Sequence, residues 1–378
     1  MKKRYSAVAL LACCLITAVL ASGGAVFVMY RGLGSTRGFE LEKKLGAVEN
    51  IISGAYIGDA DWDAVEEKAA DGMIDALGDR WSYYMTPSEY ADYKLYSANT
   101  TNGIGVTVRK NEESGGFDVY SVADGSPAES AGIMSGDRIV SVAGQSVESM
   151  ETDDMRALIR AQTGDFELAA VRNGESMTFT VRVETIYTSP VSSELLDGGI
   201  GYVRISNFEQ GTAEDAKSAI EELISGGAAS LIFDVRSNPG GRLTELIELL
   251  DYILPEGDIF VSVDKNGEET VYTSDDACIE LPMAVLINGD SYSAAEFFAA
   301  ALSEYGAAEL IGTPSTGKGR SQATFELYDG SAVHISTKRY LTPDRIDLSE
   351  QGGLTPDIII ENSGDVDMQL QEAIKYLS

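Results

Sequence analysis

Apolar residues recur at threes and fours from Phe39 to about Tyr96, first as Leu41, Leu45, Val48, Ile51 and Ile52, then again over residues 64–77. That spacing predicts amphipathic helices. Gly58-Asp59-Ala60-Asp61 reads as the turn between them, and Thr86-Pro87-Ser88-Glu89 as a further helix start with proline in its first turn. Trp81, Tyr83 and Tyr84, just ahead of that start, read as packing anchors. Past Gly103 the pattern changes to short strands at Val106 and Val108, 119–122, 139–142, 168–171 and 179–183, interrupted by one helix near 153–161. From Gly201 strand and helix alternate: strands at 202–205, 231–235 and 283–287, helices at 213–223, 243–254 and 294–303. This rhythm predicts strands covered by crossover helices. A final strand pair, 322–327 and 331–336, turns at Asp329-Gly330.

The 378 residues suffice for two or three folded units, and 44% apolar with 23% charged content is ordinary for a folded chain. Sixty acids against 28 bases give a net charge of −32. Such a field repels phosphate backbones, so no nucleic-acid partner is expected. Residues 5–30 carry no charge and are long enough to span a bilayer as a helix. Lys2, Lys3 and Arg4 ahead of them favour a cytoplasmic N-terminus, which puts everything after Arg31 outside. The rival reading is a signal peptide cleaved near Ala21-Ser22-Gly23, which would release a secreted protein. Cys13 and Cys14 fall in the apolar run, so Cys278 alone cannot form an intramolecular disulfide in the exported part, and no Cys and His spacing builds a zinc site. No metal or cofactor is expected.

The chain has one histidine, His334, in the alternating strand Ala332-Val333-His334-Ile335-Ser336. That setting favours a structural or surface role over service as the base of a Ser-His-Asp arrangement. Residues 283–296 read as a buried strand, a tight turn and a helix start, with Ser291 and Ser293 in the turn. Free N–H groups and the positive end of a helix dipole there could hold an oxyanion, although Ser and Asp are also ordinary helix caps. A second loop, Thr316-Gly317-Lys318-Gly319, sets a lysine between glycines that permit close backbone approach. It is no phosphate-binding loop, because Gly319 and then a strand follow the lysine where that motif needs Ser or Thr and a helix.

These segments resemble the carboxyl-terminal processing peptidases, also called tail-specific proteases. The resemblance rests on Asn288 with Ser291-Tyr292-Ser293-Ala294-Ala295-Glu296, on Gly317-Lys318-Gly319, and on Asp234-Val235-Arg236-Ser237-Asn238-Pro239-Gly240-Gly241. Leu77-Gly78-Asp79 through Ser82-Tyr83-Tyr84-Met85-Thr86-Pro87 extends it towards the N-terminus. Gly103-Ile104-Gly105-Val106, Gly125-Ser126-Pro127-Ala128 and Gly136-Asp137-Arg138-Ile139 are similar to a PDZ domain. Two positions depart from the family pattern. Tyr292 is bulky where the run commonly has alanine, and Ala161-Gln162-Thr163-Gly164-Asp165 replaces Gly-x-x-Gly-Thr.

With the uncharged stretch read as an anchor over 1–30, the resemblance implies a multidomain α+β protein: a helical region over 31–95, a PDZ domain over 96–186 and an αβ, crotonase/ClpP-like peptidase core over 187–378. The family spacing of nucleophile and lysine selects Ser293 with Lys318 as general base, and places an orienting glutamine at Gln322. Backbone N–H groups of Ala294 and of Gly240 or Gly241 would form the oxyanion hole. The loop Gly103-Ile104-Gly105-Val106 would bind the carboxylate of a substrate tail. The implied function is a serine endopeptidase at the cell membrane, with its catalytic part extracytoplasmic, acting on proteins or peptides with free apolar C-termini. A homodimer is a further expectation. The rivals are an inactive PDZ scaffold at the membrane and a small-ester hydrolase of similar build.

Overall fold

The computed structural model describes residues 36–364 and 366–378. The uncharged stretch 5–30, expected as an anchor, lies outside the described residues. Among those described, no helix is long and apolar enough to cross a membrane. The chain divides into two compact units, one ending at Met73 and one beginning at Ile74. In the first, helix Thr36–Ala55 and the greater part of helix Trp62–Asp75 follow the predicted spacing. Leu41, Leu45, Ile52, Trp62 and Val65 line an open groove there.

The second unit begins with the motif-rich stretch before residue 98. Helix Pro87–Ser97 starts at the predicted place. Thr86 accepts from Glu89 N–H, and the Glu89 carboxylate accepts from Thr86 N–H in return, closing a capping box. The uniformly helical reading of 39–96 needs one correction. Tyr83–Met85 is a strand that pairs with residues 332–334, a long-range partner that local periodicity does not report.

Residues 106–182 form an antiparallel sheet of strands Val106–Lys110, Phe117–Val122, Arg138–Val142, Asp165–Arg172 and Glu175–Arg182, with Gln145–Ser146 alongside. Helices Pro127–Ser130 and Thr152–Arg160 accompany it. Phe117, Ile139, Met155, Leu168 and Phe179 are buried together as the core of this layer. Asp137, fully buried, is held by a two-pronged bond from Arg172, which also donates to Gly132 O. Gly103 does not open the first strand of this sheet, as expected, but closes the separate strand Thr100–Gly103, which pairs with Glu184–Tyr187. The break comes at Gly105, whose φ is +84° and where a Cβ would sit 2.2 Å from Ser126 Cβ.

Residues 191–378, joined by strand Tyr83–Met85, build two sheets. The first runs in the order Val191–Leu196, Ile200–Ile205, Ser230–Asp234, Met283–Ile287, Ala308–Gly312, Ile358–Ile359. Its first pair is antiparallel and the rest are parallel. Both faces are covered, so alternate residues enter different cores. Leu231, Phe233, Val285 and Ile287 pack with Ile220, Leu249 and Phe298 of helices Thr212–Ser225, Leu243–Ile253 and Ala294–Glu304. Ile232, Ala284 and Leu286 pack with Ala373 of helix Met368–Leu377. The second sheet joins Tyr83–Met85, Ala332–Leu341, Gly257–Val263 and Glu269–Ser274, with Arg320–Glu326 also paired to Ala332–Leu341. The predicted hairpin at Asp329-Gly330 is present, whereas strands Gly257–Val263 and Glu269–Ser274 did not emerge from the pattern.

Candidate active site

Strand Met283–Ile287 is buried along its whole length, and its chain then turns sharply through residues 288–293 into helix Ala294–Glu304. Ser293 sits at that turn with φ 59° and ψ −128°, a conformation that L-residues rarely occupy and that surrounding contacts must enforce. Those contacts are identifiable. Ser291 Oγ donates to Val235 O at 2.8 Å and accepts from Asn288 N–H, and Tyr292 N–H donates to Asn238 O at 3.1 Å. Asn288 Oδ1 takes the N–H groups of Ser237 and Asp290. The serine turn is thereby stapled to the loop that follows strand Ser230–Asp234. Ser291 is a structural serine, buried with both bonds made.

The stapled loop carries the two glycines. Asn238 is fully buried, donating to Ile205 O and accepting Gly240 N–H at 2.8 Å. Gly240 lies so close to the serine turn that a Cβ there would stand 2.8 Å from both Ser293 Cβ and Ala294 N. Gly241 backs onto the Phe208 carbonyl carbon, where a Cβ would approach to 2.3 Å. Below the loop, Arg236 bridges the buried Asp234 and Asp367, and these two carboxylates raise its pKa despite burial. This ion-paired floor anchors the loop to the start of the last helix.

Lys318 arrives on a loop tied to the same turn, since Thr316 N–H donates to Ser291 O and Thr316 Oγ1 to Gly289 O. Gly317, with φ +83°, is sterically required, and Gly319 packs closely against the Asp347 side chain. A Cβ on Gly317 would meet Gly353 N at 2.7 Å and one on Gly319 would meet Asp347 Oδ1 at 2.6 Å. The lysine ammonium lies 4.7 Å from the Trp81 ring centroid and 5.6 Å from that of Tyr292. Burial lowers its pKa from 10.5 to about 8, against the pull of Glu296 and Asp79 and with help from Arg80.

Glu296 joins these pieces. Its carboxylate is fully buried in the first turn of the serine's helix and collects four donors. Oε2 accepts Ser293 N–H at 2.9 Å and Lys318 N–H at 2.8 Å, while Oε1 accepts Gly317 N–H at 2.7 Å and the Ser315 hydroxyl. One oxygen atom thus binds the backbones of both residues singled out as nucleophile and base.

Other expected residues fall differently. Gln322, expected to orient the lysine, donates its amide to Ser336 Oγ at 3.0 Å and Arg320 O at 3.2 Å, because strand Arg320–Glu326 pairs it with Ser336 across a register shift. His334 stacks on Tyr83 with centroids 4.7 Å apart, and its Nδ1 lies 2.8 Å from Thr324 Oγ1. Burial, and then the charge of Lys318, lower its pKa to about 4, so it is neutral. Gly103, Ile104, Gly105 and Val106 line a groove of about 340 Å³ with Met155 and Ile159. The carbonyls of Ile104 and Gly105 are turned inward, accepting Ala128 and Ala123 N–H. Sequence reasoning quoted Glu296 without a role and read Trp81 as packing alone. A carboxylate inside Ala294-Ala295-Glu296-Phe297-Phe298-Ala299 is the signal that could have found the first, because an apolar helix start buries its side chains and a buried acid needs donors.

A strained serine at the mouth of a buried helix, a lysine with a lowered pKa and a loop of close-packed glycines occur together here, in a chain that also carries a groove-bearing β module. Comparison with known proteins supplies the family. Residues 199–360 match Peptidase family S41 and residues 119–172 match the PDZ domain. The chain is 34% identical over 343 residues to the carboxy-terminal processing protease CtpA of Bacillus subtilis, covering 87% of this chain and 72% of that protein. It is 28% identical to the carboxyl-terminal-processing protease of Synechocystis, with 82% and 76% covered. Among solved structures, the photosystem II D1 C-terminal processing protease matches with TM-score 0.52 and 26% identity over 91% of each chain. The chain belongs to the S41 family of carboxyl-terminal processing serine proteases.

Proposed function

We propose that this chain is an endopeptidase in which Ser293 is the nucleophile and Lys318 the general base. The observation that carries this reading is the Glu296 carboxylate, which bonds the backbones of both residues through one oxygen atom. Neutral Lys318 takes the Ser293 Oγ proton as that oxygen attacks a peptide carbonyl. The resulting ammonium returns the proton to the departing amine, and an acyl-enzyme forms on Ser293. Water, deprotonated by the same lysine, then releases the acyl group. A pKa of about 8 leaves a useful fraction of the amine neutral near neutral pH.

Ala294 N–H, at the positive end of its helix, and Gly241 N–H are the proposed oxyanion donors. Gly240 N–H is disfavoured because Asn238 Oδ1 already holds it. Trp81 and Tyr292, rather than Gln322, are proposed to seat the lysine ammonium. Substrates are extracytoplasmic proteins whose free, apolar C-termini enter the Gly103–Val106 groove, with the stretch 5–30 holding the enzyme at the membrane. A fluorophosphonate probe followed by peptide mapping tests the core of this reading. Label on Ser293, absent from Ser293→Ala, is the expected result, and label retained in that variant would defeat it.

A further inference from the structure

We propose that a basic cleft at the edge of the second sheet is a docking site for acidic stretches of the polypeptide substrate. The cleft, about 460 Å³, is lined by residues 263–267 and 336–339 and by Arg320. Four of its ten lining residues are the bases Lys265, Arg320, Lys338 and Arg339, against one acid, in a chain whose acids outnumber its bases 60 to 28. The acid, Asp264, is turned to structural work. Its carboxylate accepts the N–H groups of Asn266 and Glu268 and the Asn266 amide, capping the hairpin turn, and these bonds lower its pKa.

Asp79 lies within reach of the charge of Arg320, but no salt bridge shorter than 3.9 Å holds the lining bases among the described residues. Arg320 and Arg339 face each other directly in the antiparallel pair, an arrangement of like charges that weakens a sheet. Arg339 approaches Asp347 only at 3.9 Å. Strand Ala332–Leu341 pairs with Tyr83–Met85 through 332–334 and with Gly257–Val263 through 339–341, and Ser336 N–H between them is taken by Ser82 Oγ.

The position of the cleft selects a polypeptide as the occupant. Arg320 lies two residues beyond Lys318 at the start of strand Arg320–Glu326, a step of about 7 Å along an extended chain. The part of the cleft lining that Arg320 supplies is thus two residues along the chain from Lys318, close enough for one extended polypeptide to touch both. Carboxylates at those positions meet guanidinium and ammonium groups whose shortest salt bridge among the described residues is that of Arg339 to Asp347 at 3.9 Å. The inference rests on the reading of Lys318 as part of the active centre.

The test uses binding to the full-length Ser293→Ala protein, so that turnover is not needed. Two fluorescein-labelled peptides share an apolar segment and end in either four glutamates or four glutamines, both amidated to spare the PDZ groove. Fluorescence anisotropy at low salt should give the glutamate peptide an advantage of about ten-fold, falling to below about three-fold at 0.5 M NaCl as screening sets in. Lys265→Glu/Lys338→Glu should abolish the advantage while leaving the glutamine peptide and the melting temperature unchanged. Lys265→Glu alone, at an exposed turn, should halve it at least. Equal binding of the two peptides, or an advantage that survives the double substitution, would overturn the proposal. So would a stronger, substitution-sensitive preference for inorganic polyphosphate of matched charge. Failure of the Ser293 probe experiment with this result intact would instead indict the catalytic assignment alone.

Discussion

Replacing Lys318 with methionine separates what the lysine does for catalysis from what it costs the fold. Methionine keeps an unbranched chain between Gly317 and Gly319 and removes the charge. Burial lowers the lysine pKa from 10.5 to about 8, which at ~1.36 kcal/mol per unit is a penalty of roughly 3 kcal/mol on the charged form. The seat over Trp81 and Tyr292 returns about 1–2 kcal/mol of cation–π attraction. The variant should therefore be inactive yet more stable than its parent by about 1–2 kcal/mol at pH 7. Because the unfolded chain binds the lysine proton more tightly than the native one, parental stability rises between pH 8 and 10.5, and the variant's advantage shrinks across that window. Urea unfolding followed by tryptophan fluorescence, comparing Ser293→Ala with Ser293→Ala/Lys318→Met at pH 7 and pH 10, measures this without self-cleavage. An equal or lower midpoint for the double variant at pH 7, or an advantage independent of pH, would refute the claim that a destabilised ammonium occupies this seat.

Ser293→Ala should abolish cleavage of an unfolded test protein, whereas Ser291→Ala should keep activity and lose about 1–3 kcal/mol of stability, since its partners Val235 O and Asn288 N–H would be left unpaired. In the parent enzyme kcat/KM should rise with pH around a midpoint near 8, and Glu296→Gln should move that midpoint downward, because the carboxylate raises the Lys318 pKa, while also lowering kcat. A lowered kcat with an unmoved midpoint would show Glu296 to be purely structural. His334→Ala should retain most activity; in the parent, stability present above pH 6.5 is lost as pH falls towards 4, and the variant should lack that acid-side loss in denaturation curves. A peptide with a free apolar C-terminus should bind about ten-fold better than its amidated twin by calorimetry, and equal affinities would exclude carboxylate capture in the Gly103–Val106 groove.

Much of this architecture was legible because its signals are local. The first two helices, the Thr86 cap, the alternating core strands and the hairpin at Asp329-Gly330 each follow from spacing within a dozen residues. The misses share a cause. Tyr83–Met85 is a strand only because Ala332–His334 lies beside it, and Gly257–Val263 is buried on both sides by elements distant in sequence, which erases the two-residue alternation. Gly103 was assigned to the wrong strand because the break at Gly105 depends on a close approach to Ser126.

The candidate site divides along the same line, and the division explains what the resemblance could carry. Ser293, Lys318 and the glycine loop are visible as residue types in characteristic runs, and the close approach of Gly240 to Ser293 and Ala294 explains why glycine is needed there. What brings the runs together lies inside those motifs but carries no role that residue type alone reveals. It is one buried carboxylate whose four donors come from residues 293, 315, 317 and 318, and one indole from residue 81 whose ring faces the lysine. An apolar side chain at position 296 would leave those backbone N–H groups buried with no acceptor, and the lysine loop would lose its register against the serine turn. The lowered lysine pKa depends on that register, because only a loop held against Trp81 and Tyr292 desolvates the ammonium. Strain at the serine and destabilisation at the lysine are therefore two results of a single packing decision, in which Glu296 offsets both by gathering the donors that each would otherwise leave unpaired.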